Sequence, residues 1–395
     1  MSLPRILVAT ALVSTLVVLV HRYLWARLVR DPGWEPPWGP GLGVSIVVLA
    51  ILVPVAFVAM RALPRAVHAP LAWVAFGWMG LLLYLFIFTV LTDAARGVAA
   101  LAGVLPADPE RRQLLARAVA LLVTGSAVVT SLAGALNVAR GFEVKRVRVP
   151  LARLPKSASG YRIVQLTDVH IGPTIGRDFL ESVVREANAL DADMVVITGD
   201  LVDGSVEELA HLVEPLRDLR SRDGVFFVTG NHEYYSGADA WIAHLQALGV
   251  RVLRNERVRI RDAFDLAGVD DHSAARMLPH HGQDIAGALR GRDPGRVVVL
   301  LAHQPKAVAE AQRHGVDLQI SGHVHGGQLA PFNWLARLDQ PFIRGLHRAG
   351  DTWVYVSEGT GYWGPPMRVG SSAEITRLEL VAGGEDDPLP QGRAG

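Results

Sequence analysis

The sequence predicts an all-α membrane region of four helices followed by an α/β domain, and three observations carry that prediction. Hydrophobic residues make up 50% of the 395 and charged residues only 19%, with a mean hydropathy of +0.26. That is less charge than a soluble chain usually carries. The chain also divides near residue 140. Residues 1–140 hold 11 Lys+Arg against 5 Asp+Glu, a balance of +6; residues 141–395 hold 28 against 33, a balance of −5. Beyond residue 160, short apolar runs alternate with stretches of helical spacing, the pattern of strands joined by crossover helices.

In the first part, Pro36–Met60 carries no charge over 25 residues, Ala66–Thr92 none over 27 apart from His68, and Ala118–Ala139 none over 22. A helix crosses the hydrocarbon core in about 20 residues. Ile6–Val20 is shorter and extends through Tyr23–Trp25. Spans are therefore expected near 4–25, 36–60, 66–92 and 118–139. No small-x-small cleavage site follows the first run, so it reads as an uncleaved anchor rather than a signal peptide. With the N-terminus inside, inner segments carry nine Lys+Arg and outer loops six. This asymmetry favours a cytoplasmic second domain, and losing one span would reverse it. Ionisable groups inside the spans are sparse, which favours an anchor over a transport path.

The chain has no cysteine, which excludes a disulfide scaffold, thiolate zinc sites, iron–sulfur clusters and cysteine nucleophiles. A net charge of +1 offers no basic field, so no nucleic-acid partner is expected. Residues 141–160 read as a basic linker, 161–382 as the second domain, and 383–395, rich in Gly, Pro and acid, as a disordered tail.

Strands are expected at Arg162–Leu166, Met194–Ile197, Val225–Val228, Val297–Leu301, Leu318–Ile320, Val354–Val356 and Ile375–Val381. Helices are expected at Phe179–Leu190, Val206–Leu219 and Trp241–Leu248. In such sheets ligands sit beyond the carboxyl ends of the strands. Five consecutive strands end in residues of metal-ligand type. In order these are Asp168-Val169-His170, Gly199-Asp200-Leu201-Val202-Asp203, Gly230-Asn231-His232-Glu233, His303, and Gly322-His323-Val324-His325. Each alone is weak; as a set at strand ends they point to hard or borderline divalent ions bound by mixed O and N ligands. Two such ions polarise a phosphoryl group and generate hydroxide from a shared water at neutral pH.

This set resembles the calcineurin-like metallophosphoesterases over roughly residues 160–380. The strings LTDVHIG, GDLVDG, GNHEYY, AHQP, SGHVHGGQ and GTGYWGPPMRVG look like the membrane-associated bacterial branch, which includes enzymes similar to UDP-2,3-diacylglucosamine pyrophosphohydrolases. The resemblance implies a β-sandwich flanked by helices and a dinuclear site of Mn, Fe or Zn. It implies that Asp168, His170, Asp200 and His325 hold the first ion and that Asp200 bridges. Asn231, His303 and His323 would complete the second ion. His232 would be the general acid, with Asp203 orienting its ring. The implied activity is hydrolysis of a phosphodiester or pyrophosphate by metal-bound hydroxide, in a bacterial inner or plasma membrane. Proximity to the bilayer favours a lipid-linked substrate.

One departure matters. The protein-phosphatase form of the second motif continues Asp-Arg-Gly, where the arginine grips phosphate. Here Gly204 follows Asp203, which tilts the reading away from monoesters. Arg177, Lys306 and Arg368 are the candidates to replace that grip. A phosphomonoesterase with the same site is the nearest alternative. A binding scaffold would show lost ligands, and none is missing. Asp270, Asp271 and His272 read equally as a capped turn or as groups near the ions. His280-His281 reads as a surface loop ahead of a metal pair. Arg251, Arg254, Arg257, Arg259 and Arg261 read as a solvated edge that blocks sheet pairing, ahead of a contact with anionic lipid or a pyrophosphate substrate. Phe332, Trp334 and Phe342 read as a cover for the site, as residues that dip into the membrane, or as packing under a long loop.

Overall fold

The computed structural model describes the backbone of residues 3–383 and the side chains of 14–383; the tail beyond 383 lies outside them. The chain forms two compact units, Met1–Leu136 with Gly364–Met367, and Asn137–Trp363 with Arg368–Gly395.

The first unit is helical: α1 (Leu3–Trp25), α2 (Trp38–Ala62), α3 (Arg65–Leu101) and α4 (Pro109–Ala139). Among the described residues, α2, α3 and α4 are long and apolar enough to cross a membrane. Helix α1 has 23 residues and runs on into a π-helical turn, Ala26–Arg30. Helix α3 continues nine residues past the expected end at Thr92. Asp93 does not stop it because the charge is met: Tyr23 Oη donates to Asp93 at 2.7 Å and Arg27 Nε lies 2.8 Å away. A carboxylate partnered in this way can stay inside a helix near lipid.

The second unit holds two six-stranded sheets. Its elements are β1 (Glu143–Leu151), β2 (Tyr161–Leu166), α5 (Arg177–Ala189), β3 (Met194–Ile197), α6 (Val206–Val213), β4 (Val225–Phe227), α7 (Asn231–Ser236) and α8 (Ala238–Ala247). They continue as β5 (Arg251–Val252), β6 (Glu256–Ile260), β7 (Phe264–Gly268), α9 (Ile285–Ala288), β8 (Val297–Leu301), α10 (Val308–Arg313) and β9 (Leu318–Ser321). The last are α11 (Phe332–Asp339), β10 (Gly345–Ala349), β11 (Thr352–Val356) and β12 (Glu374–Ala382). One sheet has the order β1-β12-β2-β3-β4-β5 and the other β10-β11-β9-β8-β7-β6.

Strand side chains alternate between two cores, as a period of two requires. Ile163, Met194, Val196, Phe226, Leu266, Val299, Leu318 and Ile320 share the core between the sheets. Val164, Leu166, Val195, Ile197 and Phe227 face outward, where Leu180, Val183, Leu209 and Trp241 of the helices cover them. Val298 and Leu300 face α9 and α10 on the other side. The fold is therefore a mixed α/β sandwich with flanking helices, preceded by apolar helices.

Two local readings differ from expectation. Within the stretch read as a basic linker, β1 pairs in parallel with β12 from Glu143↔Glu374 to Leu151↔Ala382. The basic residues mask the alternation: Val149 and Leu151 enter the inter-sheet core while Arg146 and Arg148 face solvent. The helix expected through Leu219 ends at Val213 and tightens into a 3₁₀ turn at Glu214–Asp218. Pro215, which lacks an N–H, stands at that change.

Candidate metal centre

The predicted site residues occupy the turns that follow β2, β3, β4, β8 and β9. Asp168 (φ 52°), His170 (55°), Asp200 (52°), His323 (73°) and His325 (54°) all adopt the left-handed region. A non-glycine residue there costs about 1 kcal/mol or more. Five such residues in one cleft mean that the backbone is bent to aim side chains. Gly199 (φ 90°) allows the close approach of two of these turns, since a Cβ there would lie 2.5 Å from the Gly230 nitrogen.

The donors fall into groups within which one atom from each residue lies within 4.8 Å of the others. One group is Asp168, His170 and His325; another is Asp200, His303 and His323. In the first, His170 Nε2 faces His325 Nε2 at 3.1 Å, and His325 Nε2 lies 3.3 Å from Asp168 Oδ1. In the second, His303 Nε2 lies 3.1 Å from Asp200 Oδ2. His303 Nδ1 is 2.7 Å from the Thr198 carbonyl, which fixes a proton on Nδ1 and aims Nε2 at Asp200. Burial opposes charge on this ring, yet the facing Asp200 carboxylate holds its pKa well above the usual imidazole range. Asn231 Oδ1 is buried without a hydrogen-bond partner. Buried polar atoms are almost always satisfied. One orphaned acceptor, and imidazole nitrogens turned toward each other, fit positive charge in the cleft. The donor set of carboxylates, imidazoles and one amide suits divalent ions.

The electrostatics agree. Burial pushes the His323 and His325 imidazoles down to about 4, so they are neutral lone-pair donors near pH 7. Burial opposes the ionisation of Asp168, Asp200 and Asp203, yet the imidazoles facing them hold all three below the usual carboxylate range. His232 goes the other way. Burial lowers it, but the Asp200 and Asp203 carboxylates outweigh that and raise it to about 9.

His232 Nδ1 lies 2.5 Å from Asp203 Oδ1, and its Nε2 points back to within 4.0 Å of Asp200 Oδ2. The same Asp203 oxygen is 3.2 Å from His170 Nδ1. One carboxylate thus orients two rings, a double role that sequence reading did not anticipate.

Glu233 was part of a motif but had no assigned role. It is fully buried and accepts the backbone N–H groups of Gly230 (2.6 Å), Asp200 (3.0 Å) and Leu201 (2.8 Å). Burial and the nearby Asp200 charge raise its carboxyl to about 7. It locks the turns that carry Asp200 and Asn231. Glu233→Ala leaves three buried donors unpaired and is expected to cost about 3 kcal/mol or more of stability. Thermal unfolding of the purified chain checks this.

Other singled-out residues take different places. Arg368 is 1% exposed and donates to the carbonyls of Glu358 (2.7 Å), Gly361 (2.6 Å) and His325 (3.2 Å). It holds the backbone behind His325. Arg177 pairs with Glu181 and Lys306 with Asp339. Asp270 receives both arms of Arg254 at 2.9 and 2.7 Å, and Asp271 caps Ser273 and takes Gln304. The arginine run is only partly a solvated edge, because Arg254, Arg257 and Arg261 are tied to Asp270, Asp265 and Asp223. His281, expected on a surface loop, is buried.

Residues 161–327 match the profile of the calcineurin-like phosphoesterases. Over 392 residues the chain is 38% identical to the transmembrane protein with metallophosphoesterase domain of Danio rerio, covering 93% of this chain and 88% of the fish protein. A Bos taurus protein of the same description is 46% identical over 289 residues, which is 70% of this chain; the match spans 64% of that relative's length. An uncharacterized metallophosphoesterase of Helicobacter pylori strain J99 is 40% identical over 241 residues, covering 60% of this chain and 64% of the relative. The similarity thus reaches vertebrate proteins named as transmembrane and a bacterial metallophosphoesterase.

Proposed function

Because the chain belongs to the calcineurin-like phosphoesterases, we propose that it is a membrane-anchored, two-metal hydrolase of phosphodiester or pyrophosphate bonds. The observation that carries this is the facing pair of imidazole nitrogens, His170 Nε2 and His325 Nε2 at 3.1 Å, together with the buried, unpartnered Asn231 Oδ1, in a cleft lined by three ionised carboxylates. In this reading Asp168, His170 and His325 hold one ion. Asn231, His303 and His323 hold the other, and Asp200 serves both. Mn, Fe and Zn all suit the donors. When bound, the ions supply the positive charge that polarises a phosphoryl group and activates water. His232 keeps a proton on Nε2, facing the cleft, and gives it to the leaving oxygen. Asp203 holds the far nitrogen and so fixes both the ring and its tautomer.

The preference for diesters or pyrophosphates rests on what surrounds the second motif. A Cβ at Gly204 would meet Leu209 Cδ1 at 2.9 Å, so no phosphate-gripping side chain fits there without repacking. Arg177, Lys306 and Arg368 are engaged elsewhere. A monoester dianion would find no arginine fork, whereas a diester carries less charge to grip.

An amphiphilic, lipid-linked substrate is favoured by the rim. Helix α11 follows the turn after His325; a Cβ at Gly327 would lie 2.4 Å from Asn333 Cα. Helix α11 leaves Trp334 70%, Leu335 56% and Leu338 84% exposed. Trp363 and Tyr235, also exposed, set their rings 5.6 and 5.3 Å from that of His232. Leu338→Asp is expected to raise KM about tenfold for a diacyl phospholipid substrate in mixed micelles, and to leave a soluble aryl diester unaffected. Equal effects on both would remove the lipid reading.

We also place α1 as a fourth span and the catalytic unit in the cytoplasm of a bacterial cell, following the Lys+Arg asymmetry. The cysteine-free chain makes this simple to test. A single Arg259→Cys, 64% exposed, should react with a membrane-impermeant maleimide only after cells are opened. Labelling of intact cells contradicts the assignment.

A further inference from the structure

A second cluster of donors lies outside the site described above. Asp239 stands in the first turn of α8, and His280 and His281 lie on the 269–284 loop between β7 and α9. His281 Nε2 is 2.9 Å from Asp239 Oδ1, and His280 Nε2 is 3.5 Å from Asp239 Oδ2. One donor atom from each of the three lies within 4.8 Å of the others. Tetrahedral zinc, bonded to N and O at about 2.0–2.2 Å, sets its donors about 3.3 Å apart. The two separations, each to a different oxygen of the Asp239 carboxylate, lie on either side of that value.

The surroundings add a second, independent observation. The His281 side chain is fully buried, and its other nitrogen, Nδ1, is 3.1 Å from Tyr234 Oη and 3.9 Å from Asp270 Oδ2. A ligating imidazole is commonly held in this way by a polar group at its far nitrogen, which fixes the ring and aims the near nitrogen. Asp239 meets no Lys or Arg among the described residues; its ion-pair partners there are the two imidazoles. Two neighbouring histidines therefore converge on one exposed carboxylate, with an outer position open to water.

We propose that Asp239, His280 and His281 form a third divalent-cation site, separate from the phosphoesterase centre, that takes zinc. The donors are two imidazoles and one carboxylate, which suit zinc above calcium or magnesium. Its consequence is positional. The ion joins the 269–284 loop to the start of α8. His281 in turn holds Tyr234, which sits on α7 two residues after His232. Gly237, with φ 96°, is the turn between α7 and α8, so the ion braces the outer end of the helix that presents His232.

The test counts zinc. The full chain in detergent is stripped with a chelator, titrated with zinc, desalted and assayed for bound metal, alongside Asp239→Asn, His280→Ala and Asp200→Asn. His280 is 66% exposed, so its removal should not disturb folding. The expected result is one zinc fewer in both Asp239→Asn and His280→Ala, together with a smaller zinc-induced rise in Tm. Asp200→Asn should keep this zinc while losing metal at the phosphoesterase centre. Equal zinc content and equal Tm rise in the wild-type chain, Asp239→Asn and His280→Ala would overturn the proposal and leave a hydrogen-bonded trio. A failure of the two-metal reading shows separately, as an unchanged zinc count in Asp200→Asn.

Discussion

Asp200→Asn is expected to lower kcat/KM by about 10³-fold or more, a loss on the scale of removing a preorganised charge from a reacting centre. Asp200 belongs to the donor group of His303 and His323, and in the proposed reading it would serve both ions. Its Oδ2 faces His303, its Oδ1 accepts the His232 backbone N–H at 2.8 Å, and its own N–H is held by Glu233. The amide keeps the volume and the acceptor but removes the charge. Metal content should fall together with activity, because fewer negative charges remain to offset two cations. Near-normal metal content with a kcat/KM loss under tenfold would mean that Asp200 does not serve both ions. The variant should remain folded, since burial opposed the Asp200 charge in the first place.

The second large effect concerns proton delivery. His232→Gln is expected to slow hydrolysis of an alkyl diester by about 10²–10⁴-fold, the usual contribution of a general acid. A nitrophenyl diester should suffer far less, because its leaving group departs without a proton. The pH profile carries the same information. His232 must be protonated to act, so activity falls as pH rises through its pKa. Burial lowers that pKa, the Asp200 and Asp203 carboxylates raise it to about 9, and cations held at the site would pull it down again. Asp203→Asn removes one of the raising charges, so the alkaline limb should move to lower pH while the acid limb stays in place. A profile that does not move, or a His232→Gln loss equal for both esters, would take the proton-donor role away from His232.

Much of this architecture is legible in the sequence, for a physical reason. Strands buried on both faces are written as uninterrupted apolar runs, so Met194–Ile197 and Val297–Leu301 announce themselves and their polar ends fall at the cleft. Uncharged stretches of membrane length are equally plain. The less legible parts depend on partners far away in the chain. The first strand looks like a basic linker, because its pairing with β12 lies more than 200 residues off and its outer face is cationic. Arg368 looks like a phosphate grip, and burial against carbonyls is what changes its meaning. Glu233 carries no signal beyond its place after His232, since its ligands are backbone N–H groups that every residue possesses. His281 likewise gains significance only from Asp239, 42 residues away. The backbone signature of the site, five left-handed non-glycine residues, is not visible in residue types at all.

In the proposed reading this cleft hydrolyses a phosphate ester by means of divalent ions. The most direct test takes the full chain, purified in detergent and stripped of metal. It is offered an aryl phosphodiester and an aryl phosphomonoester before and after Mn²⁺ is added, with Asp200→Asn in parallel. The expected result is turnover that appears only with metal, favours the diester, and is absent from the variant. Turnover that is indifferent to metal or to Asp200→Asn, or a folded, metal-loaded chain that cleaves neither ester, would contradict it.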